Sequence, residues 1–158
     1  MIVEVPLTND SFRKAIVDDV DSNILEVKWS GTGAGQQVLG YFNHRTTTLG
    51  RMVLERKIGR SLKRGEVTDH VNRNTFDCRR SNVRIATRSE MNQNKRTWDT
   101  NKSGYKGVSI HKQTGRWQAS ITYNYKQKHL GLFDYPEQAY VAYCRAAEKY
   151  HGDFARVE

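Results

Sequence analysis

Nothing in this chain of 158 residues approaches a bilayer-spanning apolar run, so no transmembrane helix is expected. The first residues, Met1-Ile2-Val3-Glu4-Val5, lack the basic start and apolar centre of a secretory leader. Cysteine is scarce. Cys78 and Cys144 are the only two and form no CxxC pair, so no structural zinc centre is expected, and a reduced, cytoplasmic setting is. Apolar residues make up only 37% of the chain, too few for one large core, which points to two or three small modules.

Acidic residues are missing from one stretch in particular. Between Arg79 and Lys128 there are twelve Lys or Arg against two acids, Glu90 and Asp99. Acids gather instead at Asp18, Asp19, Asp21 and Glu26, and again in the last quarter. A formal net charge of +9 spread evenly would be a solubilising coat; a segregated basic stretch fits a surface that follows the phosphates of a polyanion.

Three segments differ in pattern. Residues 1 to 58 mix strand and helix: a strand at Ile2–Val5, a short helix over Asp18–Val27, a hairpin of Val38–Phe42 with Thr46–Leu49, and a helix over Met52–Lys57. The loop Ser30-Gly31-Thr32-Gly33-Ala34-Gly35 lacks the Gly-Lys-Ser/Thr ending of a phosphate cradle. Residues 59 to 96 read as strand, loop, strand and helix: Val67–Val71, a polar loop through Asn82, Val83–Ile85, then a helix to about Lys95 opened by the capping box Thr87-Arg88-Ser89-Glu90. Thr97–Ser103 is a polar linker. Beyond it alternation is clear: Val108, Trp117, Ala119 and Ile121 face a core, and Pro136-Glu137 opens an Ala-rich helix. Trp117, Tyr140 and Tyr143 are core residues on this pattern, not stacking platforms.

Cutting a phosphodiester requires a base near neutrality to deprotonate water and a cation to neutralise the phosphate. Histidine is the usual base. Asp69 and His70 are adjacent on a strand, so their side chains leave on opposite faces and do different work. An Asp-His pair alone means little, and Asn82 alone is most often a turn residue. The joint pattern Glu66-Val67-Thr68-Asp69-His70-Val71-Asn72, then Asp77-Cys78-Arg79-Arg80-Ser81-Asn82-Val83-Arg84, is far more specific.

Over some thirty residues this pattern resembles the HNH endonucleases, in particular those of phages and mobile introns. The resemblance implies a ββα-metal motif in which Asp69 ligates Mg²⁺ or Mn²⁺, His70 is the general base, and Asn82 holds the loop and orients His70. A further ligand would come from the following helix. There the chain departs: Met91 stands where the family usually has Asn or His, and a thioether is a poor ligand for a hard cation. Either Asn92 or Asn94 substitutes through a shift of helix register, or the site keeps one protein ligand and leans on DNA phosphates and water, or is impaired. A second departure is Leu49-Gly50-Arg51, where relatives commonly show Leu-His-Arg.

The third segment, with Ser103-Gly104-Tyr105-Lys106-Gly107-Val108, Gly115-Arg116-Trp117-Gln118-Ala119, Leu130-Gly131-Leu132-Phe133 and His151-Gly152, resembles the plant ethylene-response-factor, or APETALA-two, DNA-binding domain. In that family a three-stranded sheet lies in the major groove and a helix backs it. By position the reading face would carry Lys106, Ser109, His111, Arg116, Gln118, Ser120, Thr122, Lys126, Lys128 and His129; Arg79, Arg80 and Arg84 would add DNA contacts from the middle segment.

The expectation is therefore an α+β chain: residues 1–58 supporting DNA binding, 59–96 a ββα-metal nuclease motif, 97–103 a linker, and 104–158 a three-stranded antiparallel sheet packed on one helix. It would be a monomeric, divalent-metal-dependent homing-type endonuclease on double-stranded DNA, with no small-molecule cofactor and no membrane, working in the host cytoplasm if phage-encoded. Met91 and Gly50 motivate the alternative, a sequence-specific DNA-binding protein that has lost cleavage. Charge alone also allows an RNA-binding protein, which the Asp-His-Asn pattern does not suggest.

Overall fold

The computed structural model describes residues 1–32, 37–94, 101–155 and 157, and the chain divides into two compact units, Met1–Thr87 and Arg88–Glu158. Each is mixed α and β. The boundary falls inside the stretch expected to form one module, 59–96: its hairpin belongs to the first unit and its helix to the second. Residues 33–35 of the Gly-rich loop, residues 97–100 of the linker, and Lys95 lie outside the described residues.

The first unit begins with β1 (Ile2–Leu7) and β2 (Asp10–Asp18), followed by a 3₁₀ helix, Asp19–Glu26. The latter lies within the short helix expected over Asp18–Val27, and β2 was not expected. Then come β3 (Trp29–Gly31), β4 (Val38–Phe42) and β5 (Arg45–Thr48), giving a sheet of order β2-β1-β3-β4-β5 in which only β1 and β3 run parallel. Trp29, essentially buried, bonds its indole N–H to the Ile24 carbonyl at 2.9 Å. Its ring lies against Gly40, its cross-strand partner, where an added Cβ would stand 2.7 Å from the ring. Helix α1 (Leu49–Ile58) starts three residues before the expected Met52. Thr48 caps it by accepting the Arg51 N–H at 3.2 Å, and Gly59, with φ +69°, closes it. Leu49, Met52, Val53 and Leu54 from α1 join Val5, Val17, Ile24 and Trp29 in one core.

β6 (Glu66–His70) and β7 (Val83–Thr87) form an antiparallel hairpin that packs on α1. The long connection between them is tied to β2 by the Ile16 N–H to the Phe76 carbonyl, 2.8 Å, and the Cys78 N–H to the Ile16 carbonyl, 2.9 Å.

The second unit opens with the short helix α2 (Arg88–Gln93), one residue after Thr87. β8 (Val108–Ile110), β9 (Trp117–Tyr123) and β10 (Lys126–Phe133) make an antiparallel sheet of order β10-β9-β8, and α3 (Pro136–His151) packs on one face. Val108, Ala119, Ile121, Ala139, Tyr143 and Ala147 fill the interface. Small residues on α3 let the helix lie close. Closest is Gly107, with φ +74°, where a Cβ would stand 2.1 Å from the Tyr143 ring. Tyr140 stacks between Tyr105 at 4.7 Å and Tyr143 at 6.3 Å, and Trp117 packs against the same core.

Candidate functional site

Two groups of chemically able residues stand out, one in each unit. In the first, β6 places Asp69 and His70 on opposite faces. Asp69 is only 5% exposed and receives the Arg84 Nε–H at 2.9 Å from its cross-strand partner position on β7. His70 turns to the α1 side. Its Nε2 lies 3.7 Å from Cys78 Sγ, and a Cβ on Gly50 would stand 2.7 Å from that nitrogen. The second departure from the HNH pattern thus has a physical meaning: the α1 backbone at Gly50 approaches the His70 ring so closely that any side chain there would displace it. Burial pushes the His70 pKa below its ordinary value, while the charges of Asp69 and Asp77 push it back part of the way. The same burial holds the Cys78 thiol protonated, its pKa pushed up to about 12.

Asn82, 6% exposed, ties the two ends of the loop together. Its Oδ1 accepts the Asn72 N–H at 2.9 Å, and its Nδ2 donates to Asn72 Oδ1 at 2.9 Å and to the Asp77 carbonyl at 2.6 Å. The Asn82 carbonyl takes the Val71 N–H at 2.9 Å, so both residues after His70 are fixed by Asn82. Asn72 also donates to Asp77 Oδ2 at 2.8 Å. The Arg79 guanidinium grips Asp77 at 2.7 and 2.8 Å and holds its carboxyl below the usual range.

The three arginines expected to reach DNA from this segment are all engaged inside the unit. Arg79 holds Asp77; Arg80 forks onto the buried Asp21 at 2.8 and 3.0 Å; Arg84 holds Asp69. These pairs are needed because buried carboxylates without partners are costly. The two candidate helix ligands, Asn92 and Asn94, belong to the second unit, whereas Asp69 belongs to the first. Asn92 is exposed and borders a pocket of about 370 Å³ with Lys106 and His151, and Asn94 is 8% exposed.

In the second unit, the sheet face opposite α3 carries short neutral hydrogen-bonding side chains. Gln118 Nε2 donates to Ser109 Oγ at 3.0 Å, and Gln127 Nε2 to Ser120 Oγ at 3.1 Å, with Thr122 opposite Gln127 and His129 opposite Ser120 in the register. Gln127 is the residue that the sequence pattern missed. Counting alternately back from Leu130, which faces the core, puts Lys128 and Lys126 on the helix side and His129 and Gln127 on the open face. Both lysines, expected on the open face, therefore lie on the α3 side of the sheet. Lys128 Nζ donates to Tyr150 Oη at 2.6 Å on the α3 side, and Lys126 pairs in register with Tyr123, whose ring meets Tyr150. Lys106 Nζ bonds the Gln93 carbonyl of α2. Arg116 pairs with the exposed Asp134 at 2.9 Å, and His111 meets Thr114 Oγ1 at 2.9 Å in the β8–β9 turn.

Comparison with known proteins bears on both units. Residues 103–153 match the AP2 domain family. Over 50 residues the chain is 46% identical to AP2-like ethylene-responsive transcription factor TOE2 of Arabidopsis thaliana, covering 32% of this chain and 10% of that protein. It is 46% identical over 50 residues to APETALA2-like protein 2 of Oryza sativa subsp. indica, covering 32% of this chain and 12% of that protein. No solved structure matches. The longer likeness is to Protein 3.8 of Escherichia phage T7, 32% identical over 95 residues, which covers 60% of this chain and 78% of that protein. Among the described residues no helix is long and apolar enough to cross a membrane. The chain belongs to the family of phage T7 Protein 3.8 and carries, at residues 103–153, an AP2 DNA-binding domain.

Proposed function

We propose that this DNA-binding chain is a nicking endonuclease on double-stranded DNA, in which the AP2 domain selects the site and the first unit cuts. His70 carries the reading. It is a neutral imidazole at the end of β6, its pKa lowered by burial, at the start of a loop that Asn82 braces through Asn72 and Asp77. Such a ring stays unprotonated at neutral pH and is able to take a proton from water. One site of this kind acts on one strand at a time, and a monomer suffices for it.

Mg²⁺ or Mn²⁺ belongs to the proposal as the group that would neutralise the phosphate. The donor type of Asp69, a carboxylate, suits a hard cation, but Arg84 holds that carboxylate at 2.9 Å. A cation on Asp69 would take the place that Arg84 now occupies, so binding one requires Arg84 to move aside. That same pairing, with Met91 in the expected ligand position, favours a second reading: sequence-specific binding without cleavage.

The deciding experiment incubates supercoiled plasmid or phage DNA with the full chain and Mg²⁺ or Mn²⁺, beside His70→Ala. Nicking that requires the metal and disappears in the variant supports the first reading. A footprint with no nick under either metal supports the second.

A further inference from the structure

An imidazole that serves as a base must keep its lone pair on the nitrogen that meets the water, so its tautomer matters as much as its pKa. The surroundings of His70 contain what is needed to set it. Cys78 is fully buried, and its thiol has one proton. The Thr75 carbonyl, a pure acceptor, lies 3.3 Å from Cys78 Sγ. That carbonyl takes the S–H, which leaves Sγ to offer lone pairs to its other neighbour, His70 Nε2 at 3.7 Å. Gly50 keeps the ring in place, because it alone leaves room for the Nε2 edge against α1. The Cys78 backbone cannot drift, being bonded through its N–H to the Ile16 carbonyl at 2.9 Å.

We propose that Cys78 is a positioning residue that holds His70 in the Nε2–H tautomer, leaving Nδ1 as the nitrogen that accepts a proton. The inference rests on the nuclease reading for its catalytic meaning. In the reaction the water proton passes to Nδ1 and the O–H electron pair forms the new O–P bond. The P–O bond to the leaving sugar oxygen breaks, its electron pair staying on that oxygen, which takes a proton from solvent. The ring becomes an imidazolium with Nε2–H still directed at Sγ. The sulfur is neither oxidised nor deprotonated.

The test uses two substitutions that separate hydrogen bonding from packing. Cys78→Ser keeps a donor for Thr75 and lone pairs for His70; Cys78→Val keeps the bulk and removes both. Long-range ¹H–¹⁵N correlation of the His70 ring in the full chain should show the Nε2–H form in the wild type and in Cys78→Ser. In Cys78→Val it should show a mixture or the Nδ1–H form. Nicking should fall on the order of tenfold in Cys78→Val and stay near the parent in Cys78→Ser, the scale on which a supporting partner orients a functional imidazole. An Nδ1–H wild type, or a Cys78→Val spectrum that keeps the Nε2–H form, overturns the proposal. The spectrum is read without DNA, so a chain that never nicks contradicts the nuclease reading and leaves the tautomer result to stand by itself.

Discussion

The two units use polar residues in opposite ways. In the first, the polar groups that matter point inward: Asp21, Asp69, Asp77 and Asn82 are all buried, and Arg80, Arg84, Arg79 and Asn72 meet them. In the second, the core is made of Ala, Val, Ile and Tyr, and the Ser, Thr and Gln side chains of the sheet lie on the face away from α3. The difference matches the roles proposed for the two units. An inward network fixes a few atoms in place, which chemistry demands. An outward face of Ser, Thr and Gln leaves its donors and acceptors available to base edges, with Gln suited to adenine. Basic charge is a poor guide here, since the arginines of the first unit are structural and two lysines of the sheet turn to the helix side.

This contrast is most sharply broken at Gly107. Adding a Cβ there forces both a positive φ and contact with Tyr143, so Gly107→Ala should destabilise the second unit by about 4 kcal/mol, visible as lost amide protection in α3 and lost DNA binding while the first unit stays folded. Next in size is Arg84→Ala. It takes the guanidinium away from the buried Asp69 carboxylate and should lower the stability of the first unit by about 3 kcal/mol in denaturant unfolding, leaving protection in the second unit unchanged. Asn82→Ala removes the brace of the His70 loop. Its expected cost is about 2 kcal/mol in the same measurement, with exchange rising at Val71 and Asn72.

On the outward side, Gln118→Ala and Gln127→Ala should each weaken binding to a selected DNA site by about 1–2 kcal/mol without changing stability, while Lys128→Ala should leave site preference intact. A binding selection on random duplexes reads both effects. The smallest effect is in pH. His151, mostly buried with Nε2 on the Thr122 carbonyl at 3.0 Å, has its pKa lowered by burial. The unfolded chain then binds the proton more readily, so the stability of the second unit is whole above the ordinary value of 6.5 and falls as pH drops through the folded value. Hydrogen exchange in α3 between neutral and mildly acidic pH should show this loss, and His151→Gln should flatten it.

Much of the second unit was legible because its residues obey one rule at a time. Val108, Ala119 and Ile121 alternate, Pro136 opens α3, and the small residues of α3 recur at helical spacing. The alternation was misjudged only along β10, where the register shifts between His129 and Gly131 and hides that Leu130 sets the phase for Lys128 and Gln127. The first unit was harder to read. β2 is an edge strand whose residues Ser11 to Lys14 are all exposed, so no alternation marks it. The start of α1 was obscured because Thr46-Thr47-Thr48-Leu49 reads as β-branched strand, while the structure uses Thr48 as the cap. In the site, Asp69, His70 and Asn82 could be picked out by spacing. Their partners could not: Arg84 faces Asp69 only through the register of β6 with β7, and Gly50 and Cys78 meet His70 only through the packing of α1 and the loop.

The central claim is that the first unit cuts the DNA that the second unit holds, and a nicking assay on supercoiled DNA tests it most directly. With Mg²⁺ or Mn²⁺ present, the full chain should convert supercoiled plasmid to the open circle, and His70→Ala should slow this by roughly 10²–10⁴-fold while keeping its affinity for DNA. Equal rates for the two proteins, or tight binding with no open circle under either metal, would contradict it.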